Sequence, residues 1–145
     1  MAAFNKIQQF VQDMASGVHQ FQTGTSHVLN VLLTNTAPVA TNSVKANLTE
    51  ISAGNGYTAG GATVGTITGA QTSGTMKVTG GTDPVFTASG GSIGPFRYAV
   101  LYNDTPTSPA DPLIGWWDYG SSITLASGET FTVDIDQTNG LFTIA

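Results

Sequence analysis

The sequence predicts an all-β protein, an antiparallel jelly-roll or β-sandwich with a short amphipathic helix at its N-terminus. Three observations carry this expectation. Residues 4–14 hold the one convincing helical period, short β-prone runs alternate with turn residues from Ser26 onward, and nothing resembles the strand–helix alternation of a parallel sheet. The 145 residues fit one domain, 1–145, of which 1–18 form the helical segment. A folded chain of this mass exposes roughly 7,000 Å² and buries about two-thirds of its open surface, enough for one core.

In the first segment Phe4, Ile7, Val11 and Met14 recur at steps of three and four with Phe10 beside them, while Asn5, Gln8, Gln12 and Asp13 fall elsewhere. Gly17 suits the C-cap. Such a helix either closes one end of the core or docks on a neighbour, and the core role is favoured because short helices need tertiary packing to persist.

His27 to Leu33 is a predicted strand bounded by Gly24 and by Asn35 to Pro38. From Asn42 to Ile51, Val44, Leu48 and Ile51 are spaced for one helical turn or two. Ala53 to Gly61 carries too many glycines for a regular element and is a long turn or loop. Short strands follow at Ala62 to Thr68, Thr75 to Thr79 and Val85 to Ala88.

Phe96 to Tyr102 is apolar on both faces apart from Arg97, as a central strand should be. Pro106, Pro109 and Pro112 make Asn103 to Pro112 a stiff loop, after which Leu113 to Tyr119 resumes the sheet. In Thr130 to Asp136 the apolar Phe131, Val133 and Ile135 alternate with outward polar residues. Asn139-Gly140 is the strongest hairpin turn by composition and should return the chain as a strand over Leu141 to Ile144.

Composition narrows the function. With no cysteine, disulfides and thiolate metal sites are excluded. Only 9% of residues are charged, against about 25% in ordinary soluble proteins. Neutral polar surface costs less to desolvate than charged surface, which suits a face that is to be buried against another protein. The net charge is -5, and Lys6, Lys45, Lys77 and Arg97 are scattered singly, which argues against a nucleic-acid partner. No apolar run approaches the ~20 residues of a membrane span, and Phe4 to Met14 is too polar for a signal-peptide core, so no membrane partner is expected.

A search for chemistry returns little, and the expectation is a non-enzyme with no metal or other cofactor. His19 and His27 have no carboxylate at ligand spacing and are expected as surface or sheet residues. Asp134 and Asp136 share a strand face at a spacing within the range of glycosidase pairs, but adjacent outward carboxylates more often keep an edge soluble. The Gly54-x-Gly56 segment lacks the Lys and following helix of a phosphate loop. Trp116-Trp117-Asp118-Tyr119 is the one cluster that invites binding: in a strand the two indoles face opposite sides, and an outward one can stack on a sugar or anchor an interface.

Five segments, in order, resemble small structural proteins of tailed bacteriophages: Phe4-Asn5-Lys6 to His19, Leu32 to Pro38, Ala53 to Gly61, Gly94 to Asp104 and Leu113 to Gly120. The resemblance runs over nearly the whole chain and lies in the series rather than in any one motif. Within that group the chain is most similar to the capsid cement, or decoration, proteins, such as that of the Bordetella podophage. The resemblance implies a jelly-roll on the outer capsid surface of the virion, made in the bacterial host cytoplasm. It also implies that the jelly-roll bridges major capsid protein subunits as a homodimer or homotrimer. The candidate contact residues are Phe4, Ile7, Phe10 and Val11 of the helix, Tyr57 of the glycine-rich loop, Pro106 and Pro109 of the stiff loop, and Trp116. The alternatives are a tail or fibre component, or a carbohydrate-binding adhesin module resting on Trp116, Trp117 and Tyr119.

Overall fold

Two long strands organise the chain, and almost everything else pairs with them or packs over them. The computed structural model describes residues 2–145. The strands are β1 (Phe4–Lys6), β2 (Leu29–Thr34), β3 (Ala62–Thr63), β4 (Thr68–Thr72), β5 (Thr75–Thr79), β6 (Val85–Thr87), β7 (Ile93–Asn103), β8 (Leu113–Leu125), β9 (Thr130–Thr132) and β10 (Phe142–Ile144). One α-helix, α1 (Gln9–Ala15), and a 3-10 turn at Lys45–Asn47 complete the elements. The strands form a five-stranded sheet ordered β1-β8-β7-β2-β3, a three-stranded sheet β10-β5-β4 and a pair β6-β9. Every pairing is antiparallel.

The antiparallel all-β class is therefore as the sequence predicts. Val31, Leu32, Leu33, Val100, Leu101, Tyr102, Leu113 and Ile114 are fully buried, so the β2–β7–β8 centre is covered on both faces, which is why those runs are apolar without alternation. Val78, Phe86, Val133 and Ile135 from the smaller sheets and their flanks join the same hydrophobic cluster. The accessible surface, 7089 Å², is what size scaling requires of a closely packed chain of this mass. Among the described residues no helix is long and apolar enough to cross a membrane.

The N-terminal segment departs from its helical period. Phe4–Lys6 is extended and pairs with Trp117, Trp116 and Gly115, and the helix begins only at Gln9. The edge of β8 would otherwise leave its N–H and C=O groups unpaired there, and satisfying them outweighs a marginal helical turn. Gly115 permits the close approach, since a Cβ at that position would run into the Phe4 ring and the Asn5 carbonyl. Ile7 and Phe10 are buried in the core, so the segment closes the core, and these two residues are corrected from contact candidates to packing residues.

Two further expectations are corrected. Asn139-Gly140 turns the chain, with the Gly140 N–H donating to Asp136 O at 2.7 Å, yet it joins no hairpin: β9 pairs with β6 and β10 with β5. The tight hairpin is instead β4–β5, closed by Ser73 (φ 50) and Gly74 (φ 86) with Thr72 opposite Thr75. Positive φ at both central residues is the twist-matched geometry of a two-residue hairpin, which Ser-Gly satisfies as Asn-Gly would.

Tyr57 is the third. It is 3% exposed, its hydroxyl donates to Glu50 Oε1 at 2.7 Å and accepts from the Leu33 N–H at 3.0 Å, and its ring lies 5.6 Å from that of Phe86. Burial holds the phenol well above its ordinary titration range. Tyr57 is thus a peg that fastens the glycine-rich loop to the core and is not an exposed contact. Glu50 also accepts from the Gly60 N–H, and Gly61, at φ 80, lies so close to the Val31 carbonyl that no side chain fits.

Candidate functional site

The five-stranded sheet presents two different ends. At one, β7 and β8 fall out of register. Tyr98 pairs with Asp118 and Phe96 with Ile123, so Arg97 alone faces the excursion Tyr119–Ser122. A bulge of this kind bends its strand and re-aims side chains.

Local chemistry holds the excursion in place. Arg97 donates from Nε and Nη2 to the two Asp118 oxygens at 2.8 and 2.9 Å, and the Gly120 N–H donates to Asp118 Oδ1 at 2.8 Å. Gly120 sits at φ 98, a conformation a side chain would strain. The Arg97 hydrogen bond, and then the Gly120 N–H, hold the Asp118 carboxyl below its ordinary range. Ser122 Oγ donates to Asn35 Oδ1 at 2.8 Å and fixes the far side of the excursion.

The result is that Tyr119, 55% exposed, stands over a cleft between β7–β8 and β9. The cleft has a volume of about 400 Å³, and Phe96, Tyr98, Trp117, Tyr119 and Phe131 are among its lining residues. Phe131 presents its edge to Phe96 at 5.0 Å and to Tyr119 at 5.5 Å, the tilted geometry that aromatic quadrupoles favour. Arg97, Thr132 and Asp134 supply its polar rim. Trp117 packs against Phe4 of β1, with ring centroids 5.0 Å apart and the rings tilted.

Loops converge at the opposite end of the sheet. The Asp104 N–H donates to Val28 O, Leu113 N–H to Ser43 O, Lys45 N–H to Asp111 O and Gln8 N–H to Ala40 O, all at 2.9 to 3.0 Å. The start of α1, the 39–45 segment, Val28 and the stiff 103–112 loop therefore meet there. Val11, Val28 and Val39 are 55%, 50% and 53% exposed at this end, with Pro109 exposed and Pro106 half-buried. Lys45 and Asp111 are paired at 3.2 Å.

Beneath this surface lies a polar cluster that sequence reading missed. Asn103, fully buried, turns its amide nitrogen to His19 Nδ1 at 3.0 Å and to His27 Nδ1 at 2.9 Å, and its oxygen accepts from the Thr105 N–H. His19 is not a surface residue: it is 6% exposed and stacks on Phe21 at 5.5 Å. Its Nε2 lies 4.0 Å from Asp13 Oδ2, and neither atom finds a hydrogen-bond partner among the described residues. Burial lowers the His19 pKa to about 4, against the opposing pull of Asp13 and with the help of His27.

Of the remaining candidates, Trp116 and Phe4 are half-buried, paired across β8 and β1 with Asn5 and Trp117 respectively. Asp134 is exposed on the cleft rim, whereas Asp136 accepts from the Thr138 and Asn139 backbones and the Asn139 amide. Those bonds, first among them the Asn139 N–H, hold the Asp136 carboxyl below its ordinary range. Asp136 thereby braces the turn that leads to Gly140. Among the described residues no three His, Asp or Glu side chains are grouped to hold a metal ion.

Neither a protein-family model, nor a curated protein, nor a solved structure matches the chain.

Proposed function

We propose that the chain is a virion structural protein, a capsid cement that sits on the outside of a tailed-phage head and holds it together through protein–protein contacts. The observation that carries this reading is the loop-rich end of the five-stranded sheet, whose segments leave Val11, Val28, Val39 and Pro109 exposed and Pro106 half-buried, with Asp104 and the Lys45–Asp111 pair as its charged groups. Exposed apolar side chains gain on burial against a partner, and proline holds its loop in one shape before binding. The resemblance of the five ordered segments to phage structural proteins points the same way. The proposed architecture is a jelly-roll, and the proposed partners are the major capsid protein and a second or third copy of this chain.

No single contact needs to be tight. A standard interface buries about 1,600 Å² in total, and joining several within an oligomer raises avidity by about 10²- to 10⁴-fold. Repeated over a closed lattice, modest contacts resist the outward pressure of packaged DNA.

The test is the location of the chain on intact particles by antibody labelling and cryo-electron microscopy, with Val28→Asp and Pro109→Gly carried in parallel. Density on the outer head surface, reduced in occupancy by Val28→Asp, is the expected result. Density on the tail would make it a tail or fibre component. Particles without it would sink the structural reading altogether.

A further inference from the structure

We infer that the cleft beneath Tyr119 is a binding site for a short, neutral oligosaccharide. The inference rests on the cleft alone and stands or falls independently of the capsid reading.

The size and lining come first. At about 400 Å³ the cleft falls in the range of small-ligand sites, roughly 300 to 1,000 Å³, and admits about two hexose rings. Five aromatic residues line it. A pyranose has the matching construction: its axial C–H groups form an apolar face that stacks on a ring, while its hydroxyls point outward around the edge.

The rim answers those hydroxyls. Tyr98, Tyr119 and Trp117 among the lining residues each carry a polar group, a hydroxyl or an indole N–H, that can bond to a ligand. A purely apolar occupant, such as an aliphatic side chain of another protein, would strip water from these groups without replacing the bonds, at a cost that sugar hydroxyls avoid.

Charge decides the class of sugar. Arg97 is engaged by Asp118 through two hydrogen bonds, whereas Asp134 has no ion-pair partner among the described residues. The Arg97 charge is thus offset by Asp118 beside the cleft, and the Asp134 carboxylate is the charge left over on the lining. That arrangement accepts hydroxyl donors and repels sialylated, sulfated or uronic-acid glycans.

The site is also built rather than incidental. Gly120, Asp118 and Arg97 together fix the excursion that brings Tyr119 over the cleft, and Phe4 packs against Trp117. Preorganised rings lose little freedom on stacking, which is how small saccharide sites reach useful affinity.

The experiment is a titration of the full chain with maltotriose, cellotriose, chitotriose, lactose and 3′-sialyllactose, followed by tryptophan fluorescence and by ¹H–¹⁵N spectra. Saturable binding of at least one neutral probe at or below about 1 mM is expected, with at least tenfold weaker binding to sialyllactose than to lactose if lactose is a ligand. Tyr119→Ala, which removes only an exposed ring, should weaken binding about tenfold, and Asp134→Asn several-fold, with both variants folded by the same spectra. Absence of binding by every neutral probe at about 10 mM would overturn the proposal. So would binding that both variants leave intact, or a preference for the anionic probe. Loss of particle attachment in Tyr119→Ala, with no sugar bound, would give the cleft to a protein partner instead.

Discussion

The two ends of the five-stranded sheet use the same residue types in opposite ways. At the loop-rich end a polar cluster is sealed inside while apolar side chains stand outside: Asn103, His19 and Asp13 are buried, and Val11, Val28 and Val39 are exposed alongside the Lys45–Asp111 pair. At the cleft end an ion pair lies on the surface and aromatic rings are held half-open around a cavity. The first arrangement fixes the shape of a surface meant to meet another surface. The second keeps a hollow ready for something small. Stability should therefore concentrate at the first end and ligand response at the second.

The sharpest test removes the hub of the buried cluster. Asn103→Ala leaves His19, His27 and the Thr105 N–H without their partner and should cost about 3 kcal/mol in urea unfolding, since buried groups left unsatisfied carry the full desolvation penalty. A cost under about 1 kcal/mol would show that water replaces the amide there and that this end is not the rigid one.

Acid provides the next largest effect. His19 has an ordinary pKa of 6.5 but is held at about 4 in the folded chain, so on acidification the unfolded chain takes up the proton first. The stability associated with its neutral form is complete above pH 6.5 and is lost as pH falls toward 4. The loss amounts to roughly 3 kcal/mol. His19→Gln should flatten the dependence of the unfolding midpoint between pH 6.5 and 4, whereas His27→Gln should leave most of it.

At the other end, Trp117→Ala should cost about 2 kcal/mol, less than a fully buried indole, because Trp117 is half-buried and leans on Phe4. Smallest of all is Arg97→Ala, which breaks a surface ion pair and should leave the unfolding midpoint nearly unmoved. Its effect should appear instead as sharpened or shifted Tyr119 and Gly120 resonances as the excursion loosens. A large loss of stability from Arg97→Ala would mean that the cleft end, too, bears the fold.

Much of the framework was legible because it depends on local pattern. β5 falls where Thr75 to Thr79 predicts it, β7 contains the predicted run Phe96 to Tyr102, buried continuously from Ala99, and the alternation of Phe131, Val133 and Ile135 with exposed Thr130, Thr132 and Asp134 follows their burial. What escaped depends on distant partners. Phe4 obeys a helical period but pairs with Trp117, far along the chain. Tyr57 lies among glycines and looks exposed until Leu33 and Glu50 are brought to it. The Asn139-Gly140 signal is a genuine turn, yet pairing is settled by which sheet has a vacant edge, and β5 offers one.

The candidate site divides the same way. The aromatic content of Trp116 to Tyr119 was visible, but the opposition of Arg97 to four residues was not, because a bulge is a property of two strands at once. Likewise nothing local joins His19, His27 and Asn103. A polar residue in each of two loops and a strand end signals nothing until the sheet assembles.

The placement of β10 ties regions far apart in the chain to one another. Phe142 lies against Phe10 at 5.4 Å, Phe21 at 5.3 Å and Phe4 at 6.3 Å, so α1 and β1 find their aromatic cover on a strand far along the chain. Loosening that strand should therefore be felt at a distance: Phe142→Ala should speed amide hydrogen exchange in α1 as well as in β5.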